Sequence, residues 1–189
     1  MSWLIVGVSA FGIIHLFPAV LPGSHDRLEG RLGENPYRGL FSLVIVGSLI
    51  LIVFGWKSAV PTAIYQPLMR PGALSSVLIL IGFVLFVASQ VPGNLKRFIR
   101  HPQMTGTLSW GIAHLLTNGD NRSVVLFGGL TVWAVLEMLM INRRDGAWQK
   151  PEPAAIRLDV ITAVVAIVAF AAVAYFHASL FGVSPVPAR

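Results

Sequence analysis

The chain has 189 residues, is 55% hydrophobic and only 12% charged, and carries a formal charge of +6. Soluble domains are about a quarter charged, so this composition belongs to an integral membrane protein; the basic residues fall in short gaps between apolar runs rather than on one polar basic domain, which argues against a nucleic-acid partner. The absence of cysteine excludes disulfides, thiolate metal sites, iron–sulfur clusters and covalent c-type haem attachment, so any haem would be held non-covalently.

In chain order, the first apolar run is Trp3 to Leu21. It lacks the positive leader of a secretory signal and is long enough to span a bilayer, so it reads as a retained helix. Pro18 and Pro22 close it. A polar loop with Arg27, Arg31 and Arg38 follows, then apolar runs from Gly39 to Trp56 and from Leu74 to Val91, with Pro61, Pro67 and Pro71 filling the loop between them. Pro92-Gly93-Asn94 ends the third run. Met104 to Thr117 is only about 14 residues and holds two glycines and a histidine, so hydropathy alone marks it as short or re-entrant. Val124 to Ile141 is interrupted only by Glu137, and Leu158 to Phe181 is the last run.

The loops decide the count. With six crossings, one side collects Arg27, Arg31, Arg38, Lys96, Arg97, Arg100, Arg143, Arg144, Lys150 and Arg157, and the other only Lys57, Arg70, Arg122 and Arg189. Cytoplasmic loops gather Lys and Arg, and making the short segment re-entrant largely erases this bias. The expectation is a single membrane domain over residues 1–189: an all-α bundle of six transmembrane helices, the fourth short, with both termini outside. No internal repeat is convincing. Gln149 to Ala155 reads as a flexible Pro-Ala stretch.

Five histidines carry the chemistry: His15 in the first helix, His25 in the loop after it, His101 at the entry to the short helix, His114 within it and His177 near the end of the last. His15, His114 and His177 lie at membrane depth, where a polar side chain is costly unless it is paired or lines a cavity. With no cysteine and few intramembrane acids, they point toward a metal or haem more than toward simple cross-helix bonds, because imidazoles from facing helices hold haem iron from both sides. Depth adds a check. At 1.5 Å per residue, His15 lies roughly 18 Å from Trp3, in the cytoplasmic half, while His114 lies roughly 5 Å and His177 about 6 to 8 Å from the outer end. Straight rods therefore pair His114 with His177.

Other polar features have simpler readings. Glu137, about one turn from the inner face, is expected to pair with a cytoplasmic arginine rather than relay protons. Asn118-Gly119-Asp120 reads as a turn, with Asn118 or Gly119 as a left-handed cap and Asp120, Asn121 or Ser123 capping the next helix. Arg31 and Arg38 are candidates for haem propionates or anionic lipid, with topology as the default role. The Gly7-Gly12 spacing and Gly128-Gly129 suit close helix packing.

The runs His15-Leu16-Phe17-Pro18, Arg31 to Ser42 (RLGENPYRGLFS), His101-Pro102 and Gly106 to Asp120 (GTLSWGIAHLLTNGD), then Ser123 to Gly128, resemble the NnrU family of bacterial membrane proteins over nearly the whole chain. That family is related to the 15-cis-zeta-carotene isomerases. The resemblance implies a b-type haem on His15 and His114, with His101 as a supporting or alternative residue. For the bacterial branch it implies a redox or nitric-oxide-linked accessory role in denitrification, beside a respiratory reductase system in the inner membrane. For the isomerase branch it implies haem-dependent cis-trans isomerisation of an apolar polyene. An electron donor follows if ligand release is redox-gated. Resemblance thus names His15 as partner of His114, and depth names His177.

Overall fold

The computed structural model describes residues 1–185 and contains seven helices and no strand among them. They are α1 (Ser2–Val20), α2 (Pro22–Leu32), α3 (Glu34–Ser58), α4 (Ala73–Gln90), α5 (Pro102–Thr117), α6 (Asn121–Asp145) and α7 (Ile156–Phe181). A 3₁₀ turn at Asn94–Arg97 precedes α5. Five of the helices, α1, α3, α4, α6 and α7, are long and apolar enough to cross a membrane. The sixteen residues of α5 rise about 24 Å, less than the hydrocarbon thickness of about 30 Å.

Proline sets several boundaries. Pro22 at the first position of α2 and Pro102 at that of α5 occupy sites whose N–H has no intrahelical partner. The segment expected as a loop between the first two spans is the helix α2, eleven residues without one buried side chain. Gly33 separates it from α3 at φ 85°, a conformation that a side chain resists. α3 begins five residues before the apolar run expected at Gly39, because Glu34 to Arg38 continue the helix into polar sequence. Within α6, Val124–Gly128 forms a π-turn, which carries extra residues into the helical rise.

The chain divides into two compact units. The first comprises Met1–Tyr65 and Gly119–Ala147, hence α1, α2, α3 and α6. α1 is its central helix, packed on α3 and also on α6. The contact with α3 is backbone-close: a Cβ on Gly7 would lie 2.8 Å from the Ile52 nitrogen, and one on Gly55 would fall into the Leu4 backbone. A Cβ on Gly129 would lie 2.6 Å from the Val8 side chain, whereas Gly128 faces open space. Leu4, Ser48 and Ala134 are buried together with the rings of Tyr37, Phe127 and Trp133, while Ile13, Leu43 and Ile50 face outward. That inside-out pattern suits a lipid surround, where helices associate through close packing of small residues.

The second unit comprises Gln66–Asn118 and residues 148–185, hence α4, α5 and α7. Here α4 is central, packed most extensively on α5 and next on α7. Gly82 and Gly106 meet carbonyl to Cα, a Cβ on Gly106 lying 2.8 Å from the Gly82 oxygen. Ser109 adds a hydroxyl bond to the Leu78 carbonyl at 2.6 Å. The Pro-Ala stretch expected to be flexible is held down. Asn94 donates from Nδ2 to Ala154 O at 2.8 Å and accepts from Ala154 N at 2.9 Å, and Arg97 Nε donates to Pro151 O at 3.1 Å. Asp159 at the start of α7 receives both the Asn94 backbone N–H and its Nδ2.

The Asn118-Gly119-Asp120 turn departs from expectation in its first half. Asn118 is extended, at φ −134°, and Gly119 is not among the positive-φ glycines, so no left-handed cap ends α5. Asn118 instead caps with its side chain, Nδ2 donating to the His114 carbonyl at 2.9 Å. Asp120 caps α6 as expected, accepting from the Arg122 and Ser123 N–H groups and the Ser123 hydroxyl. Burial works against its charge, but the Ser123 and Arg122 bonds and the Arg122 charge outweigh it and hold the carboxyl below its ordinary pKa. Asn121 and Gly119 pin the loop after α3, through Thr62, Ile64 and Tyr65.

Candidate functional site

His15 sits in the middle of the first unit. Its Nδ1 donates to the Phe11 carbonyl at 2.8 Å, one helical turn back. A carbonyl only accepts, so the proton is on Nδ1 and Nε2 carries the lone pair, the tautomer that ligates a metal. Three aromatic rings surround the imidazole: Phe11 of α1 at 4.1 Å between centroids, Trp133 of α6 at 5.2 Å and Phe41 of α3 at 5.7 Å. Burial holds the ring half inside this aromatic enclosure.

Aromatic packing continues from Phe41 to Tyr37, and from Tyr37 to His25 of α2, 5.0 Å away. His25 differs from His15 in lying beside acids, 2.9 Å from Asp26 and 3.7 Å from Glu29. Of the two candidate arginines in this unit, Arg38 is engaged by Glu34 at 2.6 Å, and Arg31 is exposed in the last turn of α2.

The second unit holds the other three candidates. His114 is half-buried near the end of α5, its Nδ1 bonded to the Trp110 carbonyl at 2.8 Å and its ring 5.0 Å from the Trp110 ring. His177 directs Nδ1 to the Val183 carbonyl at 2.7 Å beyond the end of α7, with Phe181 packed at 4.8 Å. It interacts electrostatically with His114. His101 takes the N-cap position of α5, where its carbonyl receives the Thr105 amide and hydroxyl. That puts it thirteen residues, about 20 Å, along the axis from His114.

The surroundings of His15 and His114 share a sequence that the linear reading missed. Gly7 to Leu16 (GVSAFGIIHL) and Gly106 to Leu115 (GTLSWGIAHL) are identical at five of ten positions: both glycines, the isoleucine, the histidine and the leucine. The structure gives the match physical content. Each first glycine makes the backbone-close contact with the neighbouring helix, and each histidine bonds its Nδ1 at 2.8 Å to the carbonyl of an aromatic residue one turn earlier. Only ten residues repeat, and the flanks diverge, so the signal emerges once both segments are seen in the same local helical frame.

One neighbour of His15 was also hidden. Trp133 packs on both His15 and the face of Gly12, and Glu137 follows it by one turn. Glu137 makes no ion pair among the described residues; its Oε2 is buried without a partner, although Arg144 interacts with it electrostatically. The expected pairing with a cytoplasmic arginine is therefore not formed.

No group of three or more His, Asp or Glu suited to a bare metal ion occurs among the described residues. A haem asks for a different donor set, one or two imidazole nitrogens and apolar or aromatic walls, and the Nδ1-anchored imidazoles with their aromatic neighbours fit that. Comparison with curated proteins and with solved structures returns no match. The family described as NnrU protein matches residues 3–185, and the chain belongs to it.

Proposed function

We propose that this NnrU-family protein is a haem-b-binding protein of the bacterial inner membrane with a redox or nitric-oxide-linked accessory role in denitrification. In this reading His15 and His114 would each offer Nε2 to the haem. The observation that carries the reading is the shared frame of these two residues: the same glycine, aromatic and histidine spacing, and the same Nδ1 bond to a carbonyl, prepare both Nε2 atoms as ligands. His177 bonds to a carbonyl as well, but six residues onward across a helix end and without that frame.

A bound haem would supply one-electron chemistry and affinity for a small ligand such as nitric oxide. The chain's part is to fix the ring tautomers, exclude water with aromatic walls and hold the helices at glycine contacts. In this reading α5 also crosses the bilayer, placing both termini in the periplasm and sorting the basic residues ten to four.

The test is an ultraviolet–visible spectrum of protein purified from haem-replete cells. Low-spin Soret and α/β bands are expected, lost or converted to high-spin in His15→Ala and in His114→Ala and retained in His177→Ala. A protein without a Soret band refutes the reading; loss of the low-spin bands in His177→Ala but not His15→Ala replaces the ligand pair. Deletion of the gene is expected to slow nitrite or nitric oxide reduction, and unchanged reduction removes the accessory role.

A further inference from the structure

The first unit contains three side chains that are at least nine-tenths buried and have an unpartnered polar atom: Tyr37 through its hydroxyl, Trp133 through Nε1 and Glu137 through Oε2. Buried polar groups are nearly always bonded, and each exception calls for an explanation. An acid at membrane depth is expensive, and where it persists it commonly serves proton or ion movement.

These groups are connected to His15. Trp133 packs edge-on to its ring at 5.2 Å and to Phe11 at 5.0 Å. One turn along α6, the Glu137 carboxyl approaches the Trp133 indole N–H without reaching bonding geometry. Tyr37 adjoins the same enclosure through Phe41.

We propose that Glu137 is the proton-binding residue of the His15 enclosure, its carboxylate taking up a proton when iron held at His15 is reduced. The inference rests on the haem reading above. The balance is simple: a one-electron donor gives its electron to ferric iron, solvent gives a proton to the Glu137 carboxylate, and no bond to iron is made or broken. The physical ground is charge compensation. Added negative charge in a low-dielectric interior raises the proton affinity of a nearby carboxylate, and Glu137 is the acid that this unit buries beside the residue touching His15.

Few other groups compete. On α1, which packs against α6, His15 is the sole titratable side chain, with its Nδ1 proton committed to Phe11. On α6 itself, Arg143, Arg144 and Asp145 stand at the inner end. Arg144 reaches Glu137 electrostatically but is directly paired with Asp145 at 2.7 Å. Arg122, at the other end, lies over Trp56.

The experiment is a spectroelectrochemical titration of the haem-loaded full chain across the neutral pH range. The midpoint potential is expected to fall as pH rises, by up to about 59 mV for each tenfold drop in proton activity. Glu137→Gln is expected to keep the low-spin spectrum and to give a flat potential at the wild-type acid limit. A wild-type potential independent of pH, or a Glu137→Gln variant with the wild-type slope, overturns the proposal. Infrared titration of the haem-free chain separates this outcome from failure of the haem reading: a protonated-carboxyl band lost in Glu137→Gln supports Glu137 as the proton site without haem, and its absence counts against it. A chain that never takes up haem overturns the redox coupling together with the haem reading, whereas a haem-loaded chain without a slope overturns the coupling alone.

Discussion

In the first unit the helix that bears the histidine is the central one: α1 touches both α3 and α6, and each contributes a ring to the His15 enclosure, Phe41 from one and Trp133 from the other. In the second unit α4 is central, and the histidine-bearing α5 packs principally on it. The local frame of the two imidazoles is the same, yet its tertiary setting is not. A helix can therefore prepare a ligand by itself, through an Nδ1 bond to its own carbonyl, while the polarity around that ligand is set by what else packs on the helix.

The largest effect that would break the comparison is unequal dependence on the two histidines. His15→Ala and His114→Ala are each expected to abolish the low-spin haem bands, and a variant that leaves them intact removes that histidine from the pair. Next come the glycines. Gly7→Val and Gly106→Val push a side chain into a neighbouring backbone 2.8 Å from the added Cβ, and each is expected to cost about 1 to 3 kcal/mol or more of stability in detergent. Gly12→Ala meets only ordinary contact with Trp133 at 3.6 Å and is expected to be much milder. Equal thermal shifts for Gly7→Val and Gly12→Ala would show that the close contact does not distinguish the positions.

A smaller effect separates the units. Asp159→Ala orphans the Asn94 amide groups, a cost of about 1 to 3 kcal/mol, and is expected to open residues 149–155 to protease while leaving the His15 spectrum unchanged. The smallest lies at the α6 cap, where Asp120→Ala is expected to cost about 1 kcal/mol. Because the folded-state pKa of Asp120 is depressed, its stabilisation is present above its unfolded value of about 3.9 and is lost as pH falls through the folded value. Acid melting curves of wild type and Asp120→Ala should converge below that point.

Much of this was legible in the sequence because hydropathy length and proline position act locally. The five long spans, the end of α1 ahead of Pro22 and the Asp120 cap follow from residue type and spacing alone. α2 escaped because an eleven-residue polar helix has no apolar length to detect. The fastening of the Pro-Ala stretch escaped because Asn94 and Ala154 are sixty residues apart. The candidate histidines were found by their cost at membrane depth, but the packing of Trp133 on His15 depends on how α6 is rotated against α1, which no periodicity in either helix specifies.

That rotation has a mechanical origin. The π-turn at Val124–Gly128 lies between the Asp120 anchor and Trp133, so it works like an indexing pin that sets the angular phase of everything downstream on α6. Deleting one residue from it would turn the following helix by about 100°, carrying Trp133 and Glu137 away from His15 together while leaving the length and hydropathy of the span almost unchanged.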